Sequence, residues 1–522
     1  MIVELIDDQW LWFTQILPHE ENILWQHFSV AAPGIEYIDM EASRWDGVYR
    51  FYNRSRQRMA RPLLSMLKRI CREHNLIINI IDRRPDAIYQ PIDPITIRSD
   101  FLPGITLENY QVDAIRVACK IECGIFWFPT GSGKTELIAG ICKAIECPTL
   151  ILANQKVVID QLKERLELRD VAEEVGLFYA GKRPDGQMIV VGSIQSLIAP
   201  TKKPNPPTQT SKDTQKIWAK KVEKHAAQLK GLETRKKNTK ILQKYAKEAH
   251  MIMIDEVDLC SSKLYQQVFR NLCRARRRYG FSGTPFDIAK PVENMRVQSH
   301  IGSIIAMETR ETVQALNRII PVKYYMLVVG GDPKEASTYD IAFKEHITQS
   351  EYFWKLVTAL CQLHPTEGTL ILVDKEELGK NLSTELAASG IIAPFIYGRT
   401  PKKKRDEALK QFQERAVNVL IGGKIINRGL DLKSGCENMI LATGGKMQSD
   451  FIQKLGRAVR HNSLGFARAY DFYFRGNRYL YAHSRARLHI VTELGYETTV
   501  IYPGGKISGQ ELINRKFRLP NK

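Results

Sequence analysis

No run of apolar residues in this 522-residue chain approaches the length that a membrane-crossing helix needs, about 18 residues, so an integral helical membrane protein is excluded. Acidic residues are the scarcer charge: 57 Asp and Glu stand against 76 Lys and Arg, a net charge of +19. A surface with that excess favours polyanions, and nucleic acid is the first candidate. Nine cysteines are scattered without a single Cys-x-x-Cys pair, which removes the spacing that zinc sites use. Chain length and compartment exclude a disulfide scaffold, and most of the cysteines sit among apolar neighbours as small core residues do. The opening MIVELIDDQW carries acids where a secretory leader carries bases. It predicts a chain that stays in the cytoplasm, a host's if the gene is a phage's, and that has no membrane partner. No short-period repeat is present. With 44% hydrophobic and 25% charged residues, disorder is excluded as the dominant state.

What is there falls into four regions. Residues 1–95 mix short strand-like runs with a basic helix candidate and end in a proline-punctuated stretch that reads as a linker. From 101 to 320 strand-length apolar runs alternate with helical segments: GIFWFP (124–129), TLILAN (149–154), IVVGS (189–193) and MIMID (251–255). The pattern repeats over 321–475 with TLILVD (369–374), IIAPFIY (391–397), NVLIGG (418–423) and NMILAT (438–443). Such alternation predicts two α/β units built on parallel sheets, with chemistry at the carboxyl ends of the strands. Residues 476–522 are the fourth region. The segment 201–249 interrupts the first unit with 14 Lys/Arg against 4 Asp/Glu, a net +10, and its part from 212 onward reads as one or two basic helices.

Three motifs carry the chemistry. PTGSGKT (129–135) follows an apolar strand and opens a helix, the context of a phosphate-binding loop. Thr130, Gly131, Ser132 and Gly133 would offer backbone N–H groups to phosphate oxygens, Lys134 would reach the β/γ-phosphates, and the Thr135 hydroxyl would hold Mg²⁺. Phe128 stands where the strict pattern has its first glycine, so on this motif alone a plain glycine-rich turn remains open. MIMIDEVD (251–258) ends a strand in adjacent carboxylates, with Asp255 suited to Mg²⁺ and Glu256 to positioning an attacking water. QKLGRAVR (453–460) puts Arg457 and Arg460 on one helical face, apt for stabilising charge on a triphosphate, and Gln453 fits a polar contact there; a solvated basic face is the alternative.

With FSGTP (281–285) and NRGLDL (427–432), these motifs occur in the order and spacing of superfamily 2 helicases, which the chain resembles over about 105–475. The resemblance implies an α/β fold of two tandem RecA-like parallel-sheet domains, ATP and Mg²⁺ as cofactors, and nucleic acid as substrate. It assigns Gln111 to the adenine edge and Asp431 to the ribose or to coupling, and gives Ser282 and Thr284 a part in linking hydrolysis to domain movement. It also implies nucleic-acid contacts from Asn154, Gln155, Ser193, Gln195 and Gly422. DEVD in place of the commoner ending in His, and SGTP in place of SAT, are departures that remove no hydrolytic group.

RWDGVYRFYNRSRQRMARPLLSMLKRICREHNL (44–76) resembles the N-terminal domain of phage recombination helicases that migrate DNA branches, and SRARLHIVTELGYE (484–497) resembles the helical tail, here 476–522, that such enzymes carry after the second α/β domain. Residues 44–72 hold nine Lys/Arg and one acid, with aromatic residues interleaved. Arg44, Trp45 and Arg54 are the candidates there for DNA contact, and Lys220, Lys221, Lys236 and Lys237 in the basic segment. The expected activity is ATP-driven remodelling of branched or forked DNA, single strands included, alongside phage recombination or replication proteins, with a monomer as the default. An RNA helicase and a duplex-translocating motor of a restriction or defence complex are the alternatives.

Overall fold

The computed structural model describes residues 1–33, 45–179, 181–198, 205–208, 215–287, 290–330, 336, 338–423, 436–445, 448–456, 460–502 and 505–514. The chain divides into two compact units, one of residues 1–129 and 133–308, the other of 130–132 and 309–522.

The first unit opens with β1 (Ile2–Leu5), β2 (Trp10–Gln15), α1 (Pro18–His27), β3 (Ser29–Ala31), β4 (Val48–Arg50), β5 (Tyr52–Asn53), β6 (Arg58–Ala60), α2 (Leu64–Glu73) and β7 (Asn79–Asp82). A five-stranded sheet forms in the order β5-β6-β2-β1-β7, and β3 pairs with β4 separately. Strand β2 turns Leu11 and Phe13 inward at period two, while α2 buries Leu67, Ile70 and Cys71 at spacings of three and one. Their shared core also contains Met295, from a helix of the following domain. The N-terminal domain is therefore docked. Glu122 accepts hydrogen bonds from Arg61 at 2.9 Å, Arg84 at 2.9 Å and Arg276 at 2.6 Å, and Gln9 donates to the Cys273 carbonyl at 2.8 Å. Nor is the proline-rich stretch a free linker: Ile97 and Leu102 are buried in the core of the next domain, with Tyr89 and Ile92 packed on it.

That domain runs α3 (Asn109–Lys120), β8 (Cys123–Trp127), α4 (Lys134–Ile145), β9 (Thr149–Ala153), α5 (Lys156–Leu168), β10 (Gly176–Phe178), β11 (Ile189–Ser193), α6 (Gln215–Glu248), β12 (Met251–Asp255), α7 (Lys263–Asn271), β13 (Arg277–Ser282), α8 (Pro291–Ile301) and β14 (Ile304–Met307). Its seven strands lie in the order β10-β11-β9-β12-β13-β8-β14, and every pairing is parallel. A parallel sheet covered on both faces needs near-continuous apolar strands, and the four runs named from the sequence form β8, β9, β11 and β12. Strand β13 begins with two arginines, which disguise it in the sequence. Both are buried because backbone carbonyls receive them: Arg277 donates to Ala118, Arg278 to Ala275 and Asp8.

From Gln215 to Glu248 the basic segment forms one long helix, α6, of 34 residues. Its carboxyl end is not an appendage. Leu242, Ala246 and Ala249 are buried in the domain core, and Gln243 donates to the Leu197 carbonyl at 3.0 Å.

In the second unit come α9 (Arg310–Ala315), β15 (Val322–Val329), α10 (Tyr339–Phe343), α11 (Glu351–Leu363), β16 (Thr369–Val373), α12 (Glu376–Ala388), β17 (Phe395–Ile396), α13 (Lys402–Gln413), β18 (Val419–Gly422), β19 (Asn438–Ala442), α14 (Gln448–Leu455), β20 (Ala467–Phe474), α15 (Arg478–Glu493), β21 (Glu497–Tyr502), β22 (Gly505–Ser508) and α16 (Gly509–Asn514). The sheet order is β17-β18-β16-β19-β20-β15-β21-β22, parallel except for the terminal β21–β22 hairpin. The helices expected after 476 are present as α15 and α16, with two strands between them that extend the sheet. Arg487 of α15 reaches Asp471 of β20 at 2.7 and 3.0 Å, both buried, so this end of the chain is built into the domain.

Candidate nucleotide site and basic surfaces

Strands β12, β13 and β8 are neighbours, and the segments leaving their carboxyl ends carry the sequence motifs. After β8 the chain turns through Gly131 at φ +88° and Gly133 at φ +79°, where a side chain would be strained, before α4 starts at Lys134. A Cβ on Gly133 would also sit 2.4 Å from Nε2 of Gln111. Gln111 is itself buried, and its Oε1 accepts from the Glu108 N–H at 2.9 Å in a capping box at the start of α3. The glutamine and the loop are thereby held side by side.

Lys134 donates to the carbonyls of Phe128 at 3.2 Å and Pro129 at 3.1 Å and forms no ion pair among the described residues. Burial pulls its ammonium below the usual lysine range, although Asp255, Glu256 and Asp258 act in the other direction. Burial likewise pushes the Asp255 carboxyl up, against the pull of Lys134. Glu256 has φ +59°, an uncommon conformation for a residue with a side chain, immediately after β12. Ser282 Oγ donates to Asp258 at 3.2 Å and accepts from the Thr284 N–H at 3.0 Å, so the DEVD and SGTP segments are joined within one domain. The sequence hinted at this tie only through the departure of Asp258 from the commoner His.

No group of three His, Cys, Asp or Glu fit to hold a metal exists among the described residues. Mg²⁺ in nucleotide sites is held otherwise, by one or two protein oxygens with phosphate and water completing the shell. Thr135, in the first turn of α4, and Asp255, at the end of β12, are oxygen donors of that kind at the strand ends that carry the loop.

Other residues singled out from the sequence sort differently. Gln195 Nε2 donates to Asn154 Oδ1 at 2.7 Å and Ser193 hydrogen-bonds Gln195, which brings three of the candidates together where β9 and β11 end in register; Gln155 follows Asn154 as the residue before α5. Gly422 ends β18 in the second unit. Trp45 is exposed, with its indole N–H on the Val48 carbonyl at 3.2 Å. Arg54 is engaged at home: it lies over the Trp25 ring at 4.5 Å and pairs with Glu21 at 3.6 Å. Tyr52, one of the interleaved aromatics, is core. On α6, Lys220 and Lys237 are exposed and Lys221 and Lys236 partly buried. Arg460 is partly buried, and desolvation lowers its guanidinium below the usual range. Arg44, Asp431, Arg457 and the side chain of Gln453 lie outside the described residues.

This arrangement is one that known proteins share. The family model of the type III restriction enzyme res subunit matches residues 104–287, and that of the helicase conserved C-terminal domain matches 352–462. The tandem α/β domains are RecA-like, and over these two stretches the chain is similar to superfamily 2 helicases. Among curated proteins the chain is similar to putative helicase 22 of Sulfolobus islandicus filamentous virus, 22% identical over 380 residues, 69% of this chain and 62% of the relative. It is also similar to the DNA 3'-5' helicase XPB of Kineococcus radiotolerans, 22% identical over 418 residues, 76% of this chain and 65% of the relative. In both cases the chain spans less than two thirds of the relative's own length. Among solved structures, T4 UvsW aligns at 16% identity and a TM-score of 0.41, covering 96% of this chain and 99% of that one.

Proposed function

We propose that this chain is an ATP-driven DNA motor that remodels branched or forked DNA, by unwinding and branch migration, in phage recombination, replication and repair. The observation that carries the ATP reading is Lys134. It is a half-buried ammonium at the start of a helix, held by two loop carbonyls and by no carboxylate among the described residues, near the strand that ends in Asp255. Phosphate oxygens would replace those carbonyls as acceptors. The loop from Thr130 to Gly133 would cradle the phosphates, Gln111 would meet the adenine, and Thr135 and Asp255 would hold Mg²⁺, which when bound offsets phosphate charge. Glu256 would orient the attacking water, while Gln453, Arg457 and Arg460 of the second unit would stabilise charge as it develops, and Asp431 would couple the nucleotide to movement. The exposed Lys220 and Lys237 of α6, with Asn154, Ser193 and Gln195, would contact the strand.

Glu256→Gln keeps the size of the side chain and loses its carboxylate. ATP should still bind while turnover falls roughly 10²–10⁴-fold, measured by nucleotide titration beside steady-state hydrolysis. Near-normal turnover would remove Glu256 from its role. For substrate, ATP-dependent product formation on a fork, a four-way junction, a displacement loop, overhung duplexes and an RNA duplex decides the matter. Preference for linear or RNA substrates would sink the branched-DNA reading. A second reading, translocation on duplex DNA without strand separation, is favoured by the match to the restriction res subunit; displacement of a triplex strand without unwinding would select it.

A further inference from the structure

A cavity of about 330 Å³ lies between the N-terminal sheet and helices α7 and α8 of the first unit, on elements other than those that carry the nucleotide loop. Its volume is at the lower end of small-molecule sites, roughly 300–1,000 Å³. Five arginines line it, Arg50, Arg58, Arg270, Arg278 and Arg296, and no Asp or Glu does. Of these, only Arg50 has a carboxylate partner among the described residues, Asp46. The other four have no carboxylate within pairing distance there, although Asp7 acts on Arg58 from further away. Arg58 lies over the Trp10 ring at 4.0 Å and Arg296 over the Tyr49 ring at 4.6 Å. Arg278 is anchored on the carbonyls of Ala275 and Asp8, at 3.1 and 2.7 Å. Arg270 makes no hydrogen bond or ion pair among the described residues and is exposed on its helix.

A second observation comes from the wall of the same cavity. His300 is 8% exposed and stacks on Phe269, with ring centroids 5.0 Å apart, and its Nε2 has no hydrogen-bond partner among the described residues. Burial, together with the charges of Arg278, Arg270 and Arg296, lowers it to about 3, so the ring is neutral at any working pH. A buried ring nitrogen left unpaired costs stability unless something meets it. Guanidinium groups stacked on aromatic rings still present their N–H edges, and such forks match phosphate oxygens. Four guanidiniums with no paired carboxylate among the described residues exceed what one carboxylate answers, whereas a phosphate group carries up to about two negative charges. The rings of Trp10 and Tyr49 add flat apolar surface of the kind that bases stack on.

We propose that this cavity is a second anion site, separate from the nucleotide loop, and that it takes a phosphate-bearing nucleotide unit. The unit is either part of a nucleic-acid strand or a free nucleotide, and the shared chemistry is the phosphate. The inference does not depend on the motor reading, since it concerns binding at another place.

Calorimetric titrations of the full chain with inorganic pyrophosphate, a nucleoside monophosphate, a 5′-phosphorylated dinucleotide and its unphosphorylated counterpart test it. The same titrations are run on Arg270→Glu, Arg296→Gln and Lys134→Ala. The phosphorylated ligands should bind the wild type, and Arg270→Glu should weaken them tenfold or more, which is about the loss of one charge-assisted contact. Arg296→Gln should weaken them in the same order of ligands, and Lys134→Ala should leave this binding in place. Tighter binding of the phosphorylated dinucleotide than of the monophosphate identifies a strand as the source. Equal binding identifies a free nucleotide. Unchanged binding in an Arg270→Glu protein with wild-type circular dichroism would overturn the proposal. So would a glutamate peptide that binds as tightly as the dinucleotide.

Discussion

Lys134, half-buried, and Lys454, fully buried, each draw an ammonium out of water, and the fold treats them in opposite ways. Lys454, in α14 of the second unit, is 1% exposed and has its counter-ion within the protein, Asp374 at 3.2 Å. Lys134, at the head of α4, has two carbonyls and no carboxylate within pairing distance among the described residues. A buried charge answered by the protein contributes to a fixed structure, because removing one partner strands the other. A desolvated charge left without a counter-ion is a standing cost that a ligand can relieve. The same contrast recurs in the first unit. Glu122 is answered three times over by Arg61, Arg84 and Arg276, whereas the Nε2 of His300 and the guanidinium of Arg270 are answered by nothing among the described residues.

The contrast can be broken most sharply through catalysis. Arg460→Ala should lower kcat by roughly 10²–10³ with little change in nucleotide affinity, since a contact to developing charge matters in the transition state. A tenfold fall in affinity with kcat unchanged would show that Arg460 binds rather than stabilises. Next come the two lysines. Lys134→Ala should abolish most ATP binding at the loop before α4 and leave the thermal midpoint unchanged or higher, because an uncompensated ammonium is lost. Lys454→Met should lower stability by about 3 kcal/mol through the stranded Asp374. If Lys134→Ala destabilised the protein as much as Lys454→Met in denaturant titrations, the distinction would fail.

Glu122→Gln should cost about 3 kcal/mol or more by leaving three arginines short of their shared carboxylate, read as a lower unfolding midpoint. Removing residues 1–95 should be worse than neutral for the same reason, since it also uncovers Met295. The smallest effect is a slope. His300 is lowered to about 3 in the folded protein, against an ordinary 6.5. Below pH 6.5 the unfolded chain takes up a proton that the folded one refuses, so stability falls as pH drops from 6.5 towards 3. At pH 5 the loss is on the order of 2 kcal/mol. His300→Phe, which keeps the stack on Phe269, should flatten that part of the pH–stability curve; an unchanged curve would mean that the imidazole titrates normally.

Much of the two α/β domains is legible in the order of their residues. KTELIAGICKAI is α4 end to end, and the apolar runs before and after it are interior strands, β8 and β9, of the first α/β sheet. Such segments declare themselves because a strand covered on both faces has little choice of composition. Elements whose reason lies elsewhere in the chain do not declare themselves. Strand β13 opens with arginines that only the carbonyls of Ala118, Ala275 and Asp8 make tolerable. The carboxyl end of α6 reads as charged insertion, yet Leu242 and Ala246 anchor it in the core. The β21–β22 hairpin lies in a stretch that resembles a helical tail, and it exists because β15 offers an edge to pair with.

The glycine-rich loop before α4, the acidic strand end and the doubled α/β pattern are written in the sequence. These features are local: a glycine turn, a helix start and an apolar strand are specified by residues adjacent in the chain. Which charges are met is a matter of packing in three dimensions. Arg54 and Arg270 both stand in arginine-rich stretches of the sequence. Packing gives the first Trp25 and Glu21 as partners and gives the second none among the described residues, because desolvation and pairing depend on neighbours that come from distant parts of the chain.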